Sequence, residues 1–380
     1  MVDMKMMTAA EVAKKVVNKE ELFILDVRNE GDYQDWKIEG ENVASLNVPY
    51  FELIEGVEAV VDQIPKDKDV VVVCAKGGSA AFVAEQLTEA GFDNVYVLQD
   101  GMKAWSEHLY QVEVYRDENM KVYQFIRVGK GCLSYMVVSG KEALVVDPSR
   151  FTDVYENAAK EDGAAITHIV DSHLHADHIS GGRVLADSTG AKYYLMKSEG
   201  AVFDFNPLEQ HDTIEFEKVN LEVLAVKTPG HTPGSVSFFV NHKLLFSGDT
   251  IFVGGLGRPD LGGKAAEWAG DLYETVYKKV ANIADDVIVL PGHYASLDAE
   301  MNKEGFIGDA LGNIRSRNEM MQNKGKEEFI DMVVENANSQ TPPNFEDIVA
   351  INRGQLEATV DKQQELEIGP NRCALHHTHE

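Results

Sequence analysis

Cysteine is scarce in this chain: Cys74, Cys132 and Cys373 are the three thiols in 380 residues. An odd number of widely spaced thiols makes no disulfide framework, and a reducing cytoplasm is the expected location. Long apolar runs are missing, so neither a transmembrane helix nor a membrane partner is expected. The N-terminus shows no apolar h-region or cleavage site, so no secretory signal is expected. Internal repeats and low-complexity tracts are missing as well. Positive charge is short: Lys and Arg number 35 against 63 Asp and Glu, a formal net charge of −28. So acidic a surface repels phosphate backbones and excludes nucleic acid as a partner, although a local pocket can still take a small anion.

What is abundant is metal-ligating chemistry in one place. The segment His173-Leu174-His175-Ala176-Asp177-His178 puts three imidazoles and a carboxylate into six residues, just after the apolar run Ile166–Val170. Imidazole and carboxylate suit zinc and non-haem iron, and core packing gives no reason for such a cluster. Three more groups follow. His231 sits in the Gly/Pro-punctuated turn Thr228–Gly234, Asp249 follows the strand-like run Lys243–Phe246, and His293 follows Val287–Leu290 in Pro291-Gly292-His293. Each lies where a strand runs into a loop, the usual place for functional groups on an α/β scaffold. A lone turn histidine is ordinarily polar surface; in this order, after the cluster, the three extend one metal site.

The pattern HLHADH, GHT, SGDT and PGH resembles the metallo-β-lactamase superfamily, over roughly residues 120 to 360. The resemblance implies an αββα sandwich with a metal site at one edge of its two sheets. The alternating or apolar segments Val122–Val128, Ser134–Val138 and Ala143–Asp147 read as strands in keeping with that.

Residues 1–112 read as a separate α/β domain, and 380 residues suffice for two cores. Thr8 and Glu11 form a capping-box pattern for a helix through Val17. Leu22–Val27, Val70–Val73 and Val95–Leu98 read as strands, and Ser79–Ala90 as a helix stopped at Gly91. Strands alternating with helices predict a mostly parallel sheet. Cys74 ends a strand and opens the loop Ala75-Lys76-Gly77-Gly78-Ser79. Such a loop before a helix is either an anion-binding nest that favours a thiolate or the setting of an inert buried cysteine. The Leu25–Arg28 stretch, the Cys74 loop and Asp100–Trp105 are similar to the signatures of a single rhodanese domain, which implies that Cys74 carries sulfane sulfur as a persulfide. Gly77 matches the family's loop. Ser79 stands where Arg is common, and Lys76 offers replacement charge. Asp26 and Arg28 read as fold-supporting residues. The charged segment Glu113–Lys121 marks the expected boundary, with a metal domain over 120–365 and a C-terminal tail over 366–380.

Two ligand arrangements follow from the superfamily resemblance. In a glyoxalase II-like layout, two zinc ions bind: His173, His175 and His231 hold one, Asp177, His178 and His293 the other, and Asp249 bridges, for thioester hydrolysis. In a persulfide dioxygenase layout, one Fe(II) per chain binds through His173, His231 and Asp249, and the remaining groups surround it. The fused rhodanese-like domain favours the second. So does the stretch Gly248–Asp260, where Arg258 either binds the anionic end of a thiol substrate or pairs with Asp260 to order the loop. The expectation is an iron-dependent enzyme that oxidises a thiol persulfide with O2 to sulfite and thiol. Cys74 would load the substrate or convert sulfite to thiosulfate, with Lys76, Gly77, Gly78 and Ser79 around the sulfur. A non-enzymatic persulfide sensor is the third reading. The rhodanese-first order, and the lack of a glutathione-type segment in Tyr294–Arg317, leave the thiol carrier open. A homo-oligomer is compatible with the sequence. Cys132 reads as structural. Cys373, beside His376 and His377, reads as part of a flexible tail, with a fold-back toward the metal as the alternative.

Overall fold

The computed structural model describes residues 4–224, 234–257, 265–335 and 344–371. His231, Arg258 and Cys373 lie outside the described residues. The chain forms two compact units. Described residues of the first run to Tyr110 and are joined by Arg127–Lys130 and Ile368–Pro370; the second takes Gln111–Ile126 and the rest from Gly131 onward.

The first unit is a five-stranded sheet. Its strands are β1 (Met6–Met7), β2 (Leu22–Asp26), β3 (Val43–Asn47), β4 (Val70–Val73) and β5 (Val95–Leu98), ordered β1-β5-β4-β2-β3. Every neighbouring pair is parallel. The central strands β2 and β4 are buried throughout, as covered parallel strands must be. Four helices accompany them: α1 (Ala9–Val17), α2 (Glu30–Asp35), α3 (Gly78–Glu89) and α4 (Gly101–Glu107). The Thr8–Glu11 capping box opens α1 with both of its reciprocal bonds. Strand β3 was not predicted: its Val-Ala-Ser-Leu-Asn sequence sits at a half-exposed sheet edge and carries no strong apolar pattern. Arg28 and Asp26 form a buried, two-pronged ion pair, with Nε–Oδ1 at 3.0 Å and Nη2–Oδ2 at 2.7 Å.

The second unit holds two sheets. The first contains β6 (Tyr110–Arg116), β7 (Lys121–Arg127), β8 (Cys132–Ser139), β9 (Glu142–Val146), β10 (Ala165–Val170), β11 (Lys192–Leu195) and β12 (Asn206–Pro207), in sequential order across the sheet. The second contains β13 (Thr213–Phe216), β14 (Val219–Leu224), β15 (Ser237–Val240), β16 (Leu244–Gly248), β17 (Ile288–Pro291) and β18 (Asp309–Ala310). Their inner faces meet through rings such as Tyr135 and Phe246, 5.0 Å apart. Helices α5 (Thr152–Glu161) and α6 (Gly182–Thr189) cover the first sheet, where Tyr155 packs edge-on to Phe125 at 4.8 Å. The second sheet is covered by α7 (Ala265–Glu274) and a later helix, Lys326–Glu335. Leu272, Phe329 and Val333 from these helices share a core with Leu245 and Val289. The expected αββα sandwich is therefore present. The helices that matter for the site come last: α8 (Phe345–Asn352) and α9 (Val360–Glu367).

Candidate metal centre and sulfur loop

Three strand ends build the metal centre. The loop after β10 carries His173, His175, Asp177 and His178; the end of β16 carries Asp249; the end of β17 carries His293. All six are buried, at 8 % exposure or less. Burying this many ionisable groups is costly unless they are paired or hold a metal. Gly292 is required here by close approach, since a Cβ on it would sit 2.7 Å from Asp249 Oδ1.

The groups contact one another in two clusters. In the first, Asp177 receives His293 Nε2 at 2.9 Å on Oδ2 and His178 Nδ1 at 3.1 Å on Oδ1. The other nitrogen of His293 reaches Asp249 Oδ1 at 2.5 Å. In the second, His175 Nε2 lies 3.4 Å from Asp147 Oδ1 and 3.9 Å from Asp171 Oδ1. Neither ring nitrogen of His175 has a hydrogen-bond partner among the described residues. Between the clusters, His173 Nε2 is 3.6 Å from Asp249 Oδ2, and the His173 and His175 rings are 4.3 Å apart. The structure thus brings together every sequence-predicted metal-site residue that it describes.

Electrostatics sorts these groups. Burial, with the His178 cation nearby, pushes His175 down to about 4, so it is neutral and its nitrogens are available as ligands. Burial also lowers His178, but the Asp177 carboxylate outweighs it and raises His178 to about 10. Burial would raise Asp177, yet His178 and His293 hold it well below the ordinary carboxylate range. Asp147 and Asp171 are raised, chiefly by burial. A neutral His175 whose buried ring nitrogens have no partner among the described residues, beside Asp177 and a group of buried carboxylates, fits a divalent metal.

Several contributors were not singled out from sequence. Asp147, at the end of β9, accepts from Ser172 N at 2.6 Å and Ser172 Oγ at 2.9 Å, and Ser172 Oγ meets His173 Nδ1 at 2.9 Å. Asp171 accepts from Ser180 Oγ and Tyr193 Oη, both at 2.6 Å. Asn352, at the end of α8, donates to His175 O at 2.8 Å and His178 O at 2.9 Å. Glu367, at the end of α9, accepts from Ile179 N at 2.7 Å and pairs with Arg150 at 2.6 Å. Cys132, read from sequence as structural, lies with its Sγ 3.1 Å from Asp177 Oδ2. Of these, Asp147 and Asp171, each just past a strand end, carry a local signal. Cys132, Asn352 and Glu367 are brought in from distant sequence.

The Cys74 loop of the first unit is built differently. Cys74 is buried at the end of β4, and Gly77 N donates to its Sγ at 3.0 Å. Gly77 adopts φ +100° as the residue before α3, a conformation that favours glycine. Ala75, Lys76 and Gly78 are exposed, and Ser79 is half-buried. The start of α4 braces the loop: Met102 N donates to Cys74 O at 2.9 Å and Lys103 N to Ala75 O at 3.2 Å. These contacts give the Asp100–Trp105 signature its physical role.

Comparison with known proteins agrees with this architecture. Residues 8–108 match the rhodanese-like domain, and residues 127–296 match the metallo-beta-lactamase superfamily. The chain joins a rhodanese-like domain to a metallo-β-lactamase domain. It is 34 % identical over 156 residues to the mitochondrial persulfide dioxygenase ETHE1 of Bos taurus, covering 40 % of this chain and 59 % of that protein. The chain therefore spans less than two thirds of that relative's length. Among solved structures, ETHE1 from Myxococcus xanthus superposes with a TM-score of 0.52 at 25 % identity, covering 65 % of this chain and all of that one. A metallo-beta-lactamase from Staphylococcus aureus superposes with a TM-score of 0.54 at 28 % identity, covering 67 % and 74 % of the two chains. Among the described residues, no helix is long and apolar enough to cross a membrane.

Proposed function

We propose that the metal domain is a non-haem iron persulfide dioxygenase that works with sulfane-sulfur transfer at Cys74. The observation that carries this reading is the pairing, in one chain, of a buried His/Asp centre related to persulfide dioxygenases with a rhodanese-like loop around a cysteine. His173, His231 and Asp249 would hold one Fe(II), with His175, Asp177, His178 and His293 around it. Iron, when bound, supplies the redox chemistry by which O2 is activated.

The chain's own residues do the rest. The Asp147–Ser172–His173 hydrogen-bond chain holds one proposed ligand in a single orientation. Asn352 holds the loop that carries the others. Burial of the constellation excludes bulk water from the reacting sulfur. In the net reaction, R–S–SH, O2 and water give R–SH, sulfite and two protons; the S–S bond breaks and the terminal sulfur is oxidised. Cys74 would take up or deliver the terminal sulfur by thiol exchange, with Lys76 supplying positive charge and Gly77, Gly78 and Ser79 shaping the loop. Arg258 is the proposed contact for the carrier's anionic end. The proposed setting is the cytoplasm, with the two activities assigned to residues 1–112 and 120–365.

The test is metal content of anaerobically purified protein together with O2 uptake on adding a thiol persulfide. About one iron per chain and persulfide-dependent uptake are expected. Two zinc ions per chain with no uptake would replace this reading with a thioester hydrolase.

A further inference from the structure

Single exposed apolar side chains are ordinary on a protein; several on one surface are not. In the first unit Phe51 is 66 % exposed, Ile54 51 % and Phe82 38 %. They share one surface. The turn Tyr50–Glu52 packs on α3, where Tyr50 and Phe82 meet edge-on with ring centroids 5.7 Å apart. Further along α3, Gln86 Nε2 donates to Leu53 O at 3.2 Å and holds the segment that carries Ile54. This surface adjoins the sulfur loop. Val27, just past β2, donates its N–H to Val73 O at 2.8 Å, beside Cys74, and its carbonyl accepts from Tyr50 N at 2.9 Å. Gly77 precedes α3, and Phe82 follows Gly78 by one helical turn on the same face.

Charge frames the patch. Residues 48–64 and 77–90 carry Glu52, Glu55, Glu58, Asp62, Glu85 and Glu89 and no Lys or Arg. These six acidic residues are exposed. Glu85 and Glu89 stand three and seven positions after Phe82, on the face of α3 that carries it. The sulfur loop offers one cation, Lys76. Small sulfane-sulfur donors such as thiosulfate are anions, and a rim of this sign repels them. The same rim attracts a cationic face.

We propose that Tyr50, Phe51, Ile54 and Phe82 form a docking surface for a protein partner that presents a reactive cysteine from a face with an apolar centre and a Lys/Arg rim. Aromatic anchors inside a charged rim are the usual make-up of a protein interface. The partner's role rests on the reading of Cys74 as a sulfur carrier. In the exchange, the Cys74 thiolate bonds to the outer sulfur of the partner's cysteine persulfide, the partner's S–S bond breaks, and the partner leaves as a thiolate. No outside oxidant is needed, and the reverse step loads the partner.

The test uses the full chain and a dye-labelled peptide with a central leucine pair flanked by arginines; a control peptide has glutamates in place of the arginines. Serine stands where the reactive cysteine would be, so fluorescence anisotropy reads binding alone. The arginine peptide is expected to bind saturably and about 10-fold tighter than the glutamate peptide at low salt, with the difference shrinking as salt rises. Phe82→Ala should lower that affinity by about 10-fold. Glu85→Lys with Glu89→Lys should remove the preference, whereas the same charge change at the exposed Glu327 and Glu357 of the second unit should keep it. Equal affinity for the two peptides, no effect of Phe82→Ala, or equal effects of the two charge changes overturns the proposal. Sulfur transfer is read separately by mass spectrometry, as sulfur gained by Cys74 from a cysteine-persulfide form of the arginine peptide and from a small thiol persulfide. Selective binding with no sulfur gain from either donor supports the surface and overturns the sulfur reading of Cys74. Sulfur gain from the small persulfide without selective peptide binding overturns the surface alone.

Discussion

The sulfur loop and the metal centre both follow the ends of buried strands, yet they are made of different material. Around Cys74 the chain uses backbone: the Gly77 N–H on the sulfur, the left-handed turn at Gly77, and the start of α4 bonded to the loop carbonyls. Around His173–His178 it uses buried side chains: Ser172 holds His173, and Asp177 holds both His178 and His293. The proposed sulfur exchange with carriers needs access, and Ala75, Lys76 and Gly78 are exposed. The proposed redox metal needs exclusion of water, and buried charges there must be matched one against another. Access comes from an exposed loop held by backbone hydrogen bonds; exclusion comes from burying ionisable groups against one another.

The comparison breaks most sharply if each site is removed in turn. His173→Ala is expected to abolish iron binding and lower persulfide-dependent O2 uptake by more than about 100-fold, leaving sulfur transfer at Cys74 intact; unchanged iron content would refute the ligand assignment. Cys74→Ser is expected to bring sulfur transfer to background while iron content stays at the wild-type level; retained transferase activity would show that another group carries the sulfur. Next in size is Asp147→Asn, which weakens the hold on Ser172 and His173. Metal affinity should fall by about 10- to 100-fold in a chelator competition, without loss of the fold. Gly77→Ala tests the backbone-built site. A side chain at φ +100° costs about 1–3 kcal/mol, so a lower urea midpoint and slower sulfur transfer are expected with metal binding unchanged.

The smallest effect belongs to a surface pair in the metal domain. Burial opposes ionisation of Asp117, but Lys243 at 2.7 Å, the N–H groups of Asn119 and Met120 and the Tyr115 hydroxyl together outweigh it and hold it at about 2, below its ordinary 3.8. A lowered carboxylate gives stability that is complete above the unfolded value and lost as pH falls. Asp117→Asn should therefore cost about 0.2–1 kcal/mol at neutral pH, with the difference shrinking between pH 3.8 and about 2.

The parts legible in the sequence were those whose cause is local. Val70–Val73 and Val95–Leu98 are strands at the predicted bounds because short, β-branched apolar runs bounded by polar turns favour a covered strand over a helix. The segment His173–His178 was legible because its ligating residues are contiguous. Cys132 was not: its surroundings are set by a backbone bridge to His293, and it meets Asp177 from 45 residues upstream. Asn352 likewise reaches His175 from 177 residues downstream, through a side chain that on its own helix is an unremarkable polar end. Periodicity and spacing report what a residue does within its own element; they carry nothing about which distant carbonyl its amide will meet.

That last bond has a consequence for how the protein is made. Synthesis runs from the N-terminus, so the ligating loop leaves the ribosome well before Asn352 and Glu367, the residues that hold its carbonyls and its Ile179 N–H in the finished structure. A nascent chain therefore displays histidines and an aspartate that lack their fixed arrangement. The fixed arrangement that the proposed metal would need is complete only once the last two helices have docked, so a choice between ions would fall to the folded site and not to a loose string of donors.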